Sequence, residues 1–204
     1  MSSLTQINRP PVAKTLLESA SGGPLPEWDV VENALRVRNF EAGGTVFLQD
    51  VAHPYVYVVR SGLVKLSYLG EDGNEWIKSF AHEGRFFGSM AALEPRGRTS
   101  FMVTALEPCT VEQVDYRVLA GLATKHLPWS RALHAMAMVL ATRKEKREWE
   151  LLTLGPEARY ICFKDAYPEL EQRIPQKDLA RHLGLTPVGL NRIVRRVRLR
   201  LEVQ

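Results

Sequence analysis

The stretch from Ile174 to Arg198, IPQKDLARHLGLTPVGLNRIVRRVR, constrains this chain more than any other. Leu179, Ala180 and Leu183 recur at helical spacing, which predicts a short helix over Gln176 to Leu183. Gly184 can adopt the left-handed conformation that ends a helix. Thr186 suits an N-cap and Pro187 the first position of a following helix. Leu190, Ile193, Val194 and Val197 then make a second apolar stripe, with Arg192, Arg195, Arg196 and Arg198 on the other face. Together these are the pattern of a helix-turn-helix, whose second helix enters the DNA major groove. An ordinary helical hairpin with a solvated basic face is the alternative. It does not account for cap, turn glycine, spacing and charge all agreeing.

Charge is unevenly placed along the 204 residues. Residues 1–142 hold 13 Lys and Arg against 14 Asp and Glu, whereas residues 143–204 hold 14 against 9. A near-neutral first part and a basic last part imply a regulatory module joined to a polyanion-binding one. The longest apolar run, Ala135 to Ala141, is too short to span a bilayer, so no membrane partner is expected. No basic-then-apolar leader opens the sequence. With Cys109 and Cys162 alone, a four-thiolate metal or iron–sulfur site is excluded, and a reduced, cytoplasmic protein is expected.

Residues 1–24 end in a Ser-Gly-Gly-Pro cluster and read as a loosely held arm. A short helix is predicted over Pro26 to Ala34. Residues 46–48, 55–60, 63–68, 75–80, 100–106 and 109–114 are short, rich in β-branched and aromatic residues, and separated by turn signals such as Ser61-Gly62 and Glu71-Asp72-Gly73. Val64, Leu66 and Tyr68 alternate with Lys65 and Ser67, as a half-buried strand would. Strands at this spacing, uninterrupted by helices, argue for an antiparallel sandwich, jelly roll or barrel rather than a parallel α/β sheet.

After Asp115 the pattern turns helical. Tyr116 to Thr124 reads as a short helix and Pro128 to Thr153 as a long one, with Leu133, Met136, Ala137 and Leu140 forming an apolar seam. A lone helix with so narrow a seam needs a partner; packing on its own β module and pairing in a homodimer are the two options. Dimerisation is expected, because a two-fold DNA reader needs two copies. Leu154-Gly155-Pro156 breaks the helix and marks a hinge. The expected division is therefore an α+β chain with an arm at 1–24, a β-roll sensor-like domain at 25–127, a dimerisation helix at 128–153 and a helix-turn-helix domain of the winged type at 154–204. The chain ends six residues after Arg198, so any wing strand is short or absent.

In this order of parts the chain resembles the bacterial cyclic-AMP-receptor/Fnr (Crp/Fnr) transcription regulators over about residues 28–198. The resemblance rests on the glycine ladder Gly62, Gly73, Gly84 and Gly88 within SGLVKLSYLGEDGNEWIKSFAHEGRFFG, and on GPEARYICFKDAYPELEQRIPQKDLARHLGLTP at 155–187. It implies a β-roll with turns at those glycines, and a homodimer that binds palindromic double-stranded DNA and contacts RNA polymerase. Arg192 falls where the family places a base-reading arginine. Thr186, Pro187, Val188 and Gly189 form the helix turn that faces base edges, and Gln176, Lys177, Asn191, Arg195 and Arg196 complete the expected DNA-binding set. Well-known members carry charged residues at two positions here occupied by Pro187 and Val188. Those side chains cannot hydrogen-bond, although Val188 could touch a thymine methyl.

The sensor part departs further from the family. Cyclic-nucleotide binders place a ribose-holding glutamate just after the last ladder glycine, where this chain has Ser89. They place an Arg-Ser pair on the cyclic phosphate, where an ungapped count gives Thr99-Ser100, with Arg98 one residue early. Lys144 and Glu145 stand where the dimer helix would add contacts. Regulation by cyclic AMP is therefore not expected, and the effector stays unidentified. A small-anion or cyclic-nucleotide sensor that uses Arg98 is the alternative. The five histidines are scattered, Cys109 and Cys162 read as packing residues, and no cofactor is expected. A cupin-type metalloenzyme is disfavoured, since no His-x-His pair occurs in the sequence.

Overall fold

A computed structural model describes residues 11–201. Helices α1 (Val12–Ser21) and α2 (Trp28–Ala34) precede strands β1 (Arg36–Phe40), β2 (Thr45–Phe47), β3 (Tyr55–Ser61), β4 (Val64–Leu69), β5 (Glu75–Ala81) and β6 (Phe86–Phe87). After the single turn α3 (Met90–Leu93) come β7 (Met102–Ala105) and β8 (Cys109–Asp115). Helices α4 (Tyr116–Lys125), α5 (Leu127–Thr153), α6 (Pro156–Ala166), α7 (Gln176–His182) and α8 (Pro187–Leu201) follow. The strands form two four-stranded sheets, ordered β1-β8-β3-β6 and β2-β7-β4-β5. Pairing is antiparallel, with Val59 opposite Val111 and Tyr57 opposite Gln113. This is the expected jelly-roll architecture.

Two compact units can be distinguished: residues up to Lys65 together with Phe80–Leu140, and Leu66–Ser79 together with the residues from Ala141 on. In the first unit the sheets meet through aromatic rings. Phe47 of β2 lies 5.9 Å from Tyr57 of β3, and Tyr57 stacks on Phe87 of β6 at 5.0 Å. Offset ring pairs of this kind are worth roughly 0.5–1.5 kcal/mol beyond their burial. Gly62, Gly73 and Gly84 of the ladder take positive φ, whereas Gly88 does not. Gly62 is the most restricted: at φ +95° an added Cβ would lie 2.6 Å from both Cys109 Sγ and Pro108 O.

Residues 1–10 of the expected arm lie outside the described residues, but its second half is no arm. Val12–Ser21 is a helix with Ala13 and Leu17 buried. It belongs to a core with Val31, Val58, Val114, Leu119, Leu122 and Trp129. The Glu112 carboxylate accepts from Val12 N at 2.8 Å and Ala13 N at 2.7 Å, and pairs with Arg60. A buried anion thus meets the amides that a helix start leaves unpaired. Trp28 and Trp129 stack at 6.0 Å, and Trp129 Nε1 donates to Pro26 O at 2.8 Å.

Two strands went unforeseen. In β1 four of five residues are exposed, so no alternation appears, and β6 has two residues. The expected alternation in β4 holds only for its first half. Val64 and Leu66 are buried, but Ser67 is buried too, and Tyr68 is 41% exposed. The burial changes face where the chain passes into the second unit. Cys109 is buried as expected, while Cys162 is half-buried. Because α8 runs on to Leu201, no wing strand is present among the described residues.

Candidate nucleic-acid interface and effector region

Helix α7 ends where expected. Gly184 takes φ +67°, and Leu185 N returns to Ala180 O at 2.9 Å. At the start of α8 the Thr186 hydroxyl accepts from Gly189 N at 3.1 Å, a side-chain cap, and Pro187 occupies the first helical position, where no amide is needed. Leu179, Ala180, Leu183, Leu190, Ile193, Val194 and Val197 are buried between the helices. That burial leaves the polar stripe outside. Gln176, Lys177, Thr186, Pro187, Val188, Asn191, Arg192, Arg195 and Arg196 are exposed, and Gly189 is half-buried. Val188, at 62% exposed, is an apolar side chain held out at the start of the helix.

The arginines of α8 are not equivalent. Arg192 and Arg195 make no ion pair or hydrogen bond with the described residues. Arg196 and Arg200 both reach Glu157 in the first turn of α6, at 3.0 and 2.5 Å. Glu157 escaped the sequence reading because it lies 39 and 43 positions from them, beyond any local spacing rule. Two further contacts anchor α7 inside this unit. Arg181 Nη1 lies 3.0 Å from Glu75 Oε2. Arg147 Nη2 donates to His182 O at 2.7 Å and Ile77 O at 3.0 Å, while its Nη1 lies 3.2 Å from His182 Nε2. Burial, with Arg147 alongside, pushes the His182 imidazole down to about 3. Burial likewise brings the Arg147 guanidinium down to about 10.

In the first unit, Ser89, Thr99 and Ser100 come together, but they satisfy one another and the backbone. Ser100 N donates to Ser89 Oγ at 3.0 Å, Thr99 Oγ1 donates to Leu48 O at 2.6 Å, and Val51 N donates to Thr99 Oγ1 at 3.0 Å. Ser89 and Thr99 are 1% and 3% exposed, which leaves them little reach toward a ligand. Arg98 does not join them. Its Nε lies 2.6 Å from Asp50 Oδ1, with the guanidinium 57% exposed. Close by is an open groove of about 330 Å³ lined by Thr45, Val46, Phe47, Leu48, Val51 and His53, a lining without carboxylate or cation for a sugar phosphate. Burial lowers the His53 pKa, which favours a neutral ring there.

A family description, the cyclic nucleotide-binding domain, matches residues 37–126. The nitrogen fixation regulation protein FixK of Bradyrhizobium diazoefficiens is 25% identical over 159 residues, which are 72% of this chain and 65% of FixK. The structure of FixK2 from Bradyrhizobium japonicum matches with a TM-score of 0.72 at 20% identity, over 81% of this chain and 85% of FixK2. CLP of Xanthomonas campestris, described as a c-di-GMP responsive global regulator, matches with a TM-score of 0.65 at 19% identity, over 82% and 88% of the two chains. The chain therefore contains a cyclic nucleotide-binding domain fold and shares its overall fold with these regulators.

The long helix α5 departs from what its sequence pattern led one to expect. Leu133 and Met136, two of the four residues expected in a dimer seam, pack against the core of their own unit. Ala137 and Leu140 are half-buried. Apart from Leu127 at its first position, 62% exposed, the large apolar side chains that α5 leaves open in this unit are instead Met138, 51% exposed, and Val139, 39% exposed. The sequence pattern located an apolar stripe, but one helix face was already claimed by α1, α2 and α4. Helix α5 is 27 residues long, and no helix among the described residues is long and apolar enough to cross a membrane.

Proposed function

We propose that this chain is a homodimeric transcription regulator that binds duplex DNA and is not controlled by cyclic AMP. The observation that carries this is the capped α7–turn–α8 unit with Arg192 and Arg195 held out, exposed and without a counter-charge among the described residues. In this reading the first turn of α8, Thr186 to Gly189, lies along base edges. Arg192 reads a guanine through its planar donor fork, and Val188 meets a thymine methyl. Gln176, Lys177, Asn191 and Arg195 contact the sugar–phosphate backbone and set the register. Two copies related by a two-fold axis would read half-sites about one helical turn apart. Met138 and Val139 supply the apolar face for the second copy. The likeness to these regulators supports a cytoplasmic site of action and contact with RNA polymerase.

Selection of bound duplexes from a random pool tests the proposal. The expected outcome is an enriched palindrome, with binding whose log–log salt slope is on the order of −4 to −8 for several phosphate contacts. A pool that stays random, with affinity independent of salt, would refute it.

A further inference from the structure

We infer that Glu157 is an internal stand-in for a DNA phosphate, withholding Arg196 and Arg200 from the backbone and so setting the protein's sequence-independent affinity. The inference rests on the DNA-binding reading above. Arg196 and Arg200 are four residues apart on α8 and therefore share a helix face. One carboxylate serves both, with Oε2 3.0 Å from Arg196 Nη1 and Oε1 2.5 Å from Arg200 Nη1. Two guanidinium groups, each donating through one Nη1 to a separate oxygen of one anion, make the charge-assisted contacts that arginines also make to a phosphate.

Glu157 is well placed to keep them. It lies in the first turn of α6, where the helix dipole favours an anion, and its side chain is 23% exposed against 59% and 66% for the two arginines. The arginines can therefore swing to solvent more readily than the carboxylate can follow. A phosphate that recruits either one must first displace Glu157. Arg192 is four residues before Arg196 on the same face and carries no such brake. The ridge Arg192–Arg196–Arg200 is thus divided into an open end, beside the first turn of α8, and a closed end. The closed end adds little to nonspecific binding, so the relative weight of base contacts rises.

The test compares the full-length wild type with Glu157→Gln, which keeps shape and an acceptor oxygen but removes the charge, on a nonspecific duplex across a salt series. Each arginine released to a phosphate should steepen the log–log slope by about 0.9, so the variant should gain about 1–2 in slope and bind several-fold tighter at low salt. A second variant, Arg196→Ala with Arg200→Ala, covers the case of Glu157→Gln failing to fold. It should leave the wild-type slope within about 0.5, because those charges are not engaged. Three outcomes overturn the inference while wild-type binding stands: an unchanged slope in Glu157→Gln, weaker binding by folded Glu157→Gln, or a slope shallower by about 2 in the double alanine variant. Absence of salt-dependent binding by the wild type would instead bring down the DNA reading itself.

Discussion

The Arg98 guanidinium lies on Asp50, its Nε 2.6 Å from Oδ1, and faces solvent instead of the β-roll interior. The neighbouring Thr99 is locked in place by its hydroxyl's bond to Leu48 O and by Val51 N, so a one-residue slip of the loop that would bring Arg98 inward must break both. A cyclic phosphate entering the neighbouring groove would meet a lining with aromatic rings and without a cation, beside the buried Ser89 and Thr99, and desolvating a charged group without compensation is strongly unfavourable. Calorimetry with millimolar cyclic AMP should therefore give no saturable heat. Micromolar binding abolished by Arg98→Ala would show that the loop shifts and that the site was misjudged.

Arg192 and Arg195 should separate base reading from backbone contact. Arg192→Ala is expected to weaken binding to the selected site by about 1–3 kcal/mol and to relax preference at one base pair per half-site. Arg195→Ala should weaken all duplexes alike and reduce the salt slope by about 1. Unaltered sequence preference in Arg192→Ala, measured by repeating the selection, would reassign the base contact.

Helix α5 offers a paired comparison. Met138→Glu should shift the protein from dimer to monomer in sedimentation at micromolar concentration, because association would bury two unpaired carboxylates. Leu133→Ala, which alters a side chain packed on its own core, should lower the unfolding free energy by about 1–3 kcal/mol and leave the dimer intact. The opposite assignment of effects would restore Leu133 to the dimer seam.

Glu112 should be among the most sensitive positions in the first unit. It is 1% exposed, holds the two amides at the start of α1 and pairs with Arg60. Removing one side of a buried, hydrogen-bonded charge pair costs about 3–5 kcal/mol. Glu112→Ala should lose that much in denaturant unfolding and expose the α1 amides to hydrogen exchange. A loss below about 1 kcal/mol, the range of a surface pair, would mean that α1 is held by its apolar side chains alone.

His182 sets a pH dependence whose sign follows from its depressed pKa. Folded, the ring stays neutral down to about 3; unfolded, it titrates at its ordinary value of 6.5. Between these values the unfolded chain binds the extra proton, so stability falls as pH falls, by at most about 1.4 kcal/mol per unit. Above pH 6.5 this group makes no contribution to the slope. Unfolding midpoints at pH 7.5 and 5 should therefore differ more in the wild type than in His182→Gln, which keeps an acceptor for Arg147. Equal differences in the two proteins would assign the acid sensitivity elsewhere.

The helix-turn-helix was fully legible in the linear sequence because everything that specifies it is local. Its helices, the turn at Gly184 and the Thr186 cap depend on residues within a few positions of one another, and so does the amphipathic division that leaves Arg192 outside. The same holds for the longer strands and for the turns at Gly73 and Gly84, where backbone conformation alone selects glycine, whereas Gly62 is also required by the close approach of Cys109 and Pro108. What only the tertiary structure decided involves pairs far apart in the chain. Glu112 stands 99 positions from the Ala13 amide it binds, and it turned a presumed arm into a packed helix. Glu157 claims Arg196 from 39 positions away, which no periodicity encodes. The face of α5 available to a second copy was settled in the same manner. Apolar spacing marks a stripe but does not say what will cover it, and competition among α1, α2 and α4 for Leu133 and Met136 exists only once the chain has folded.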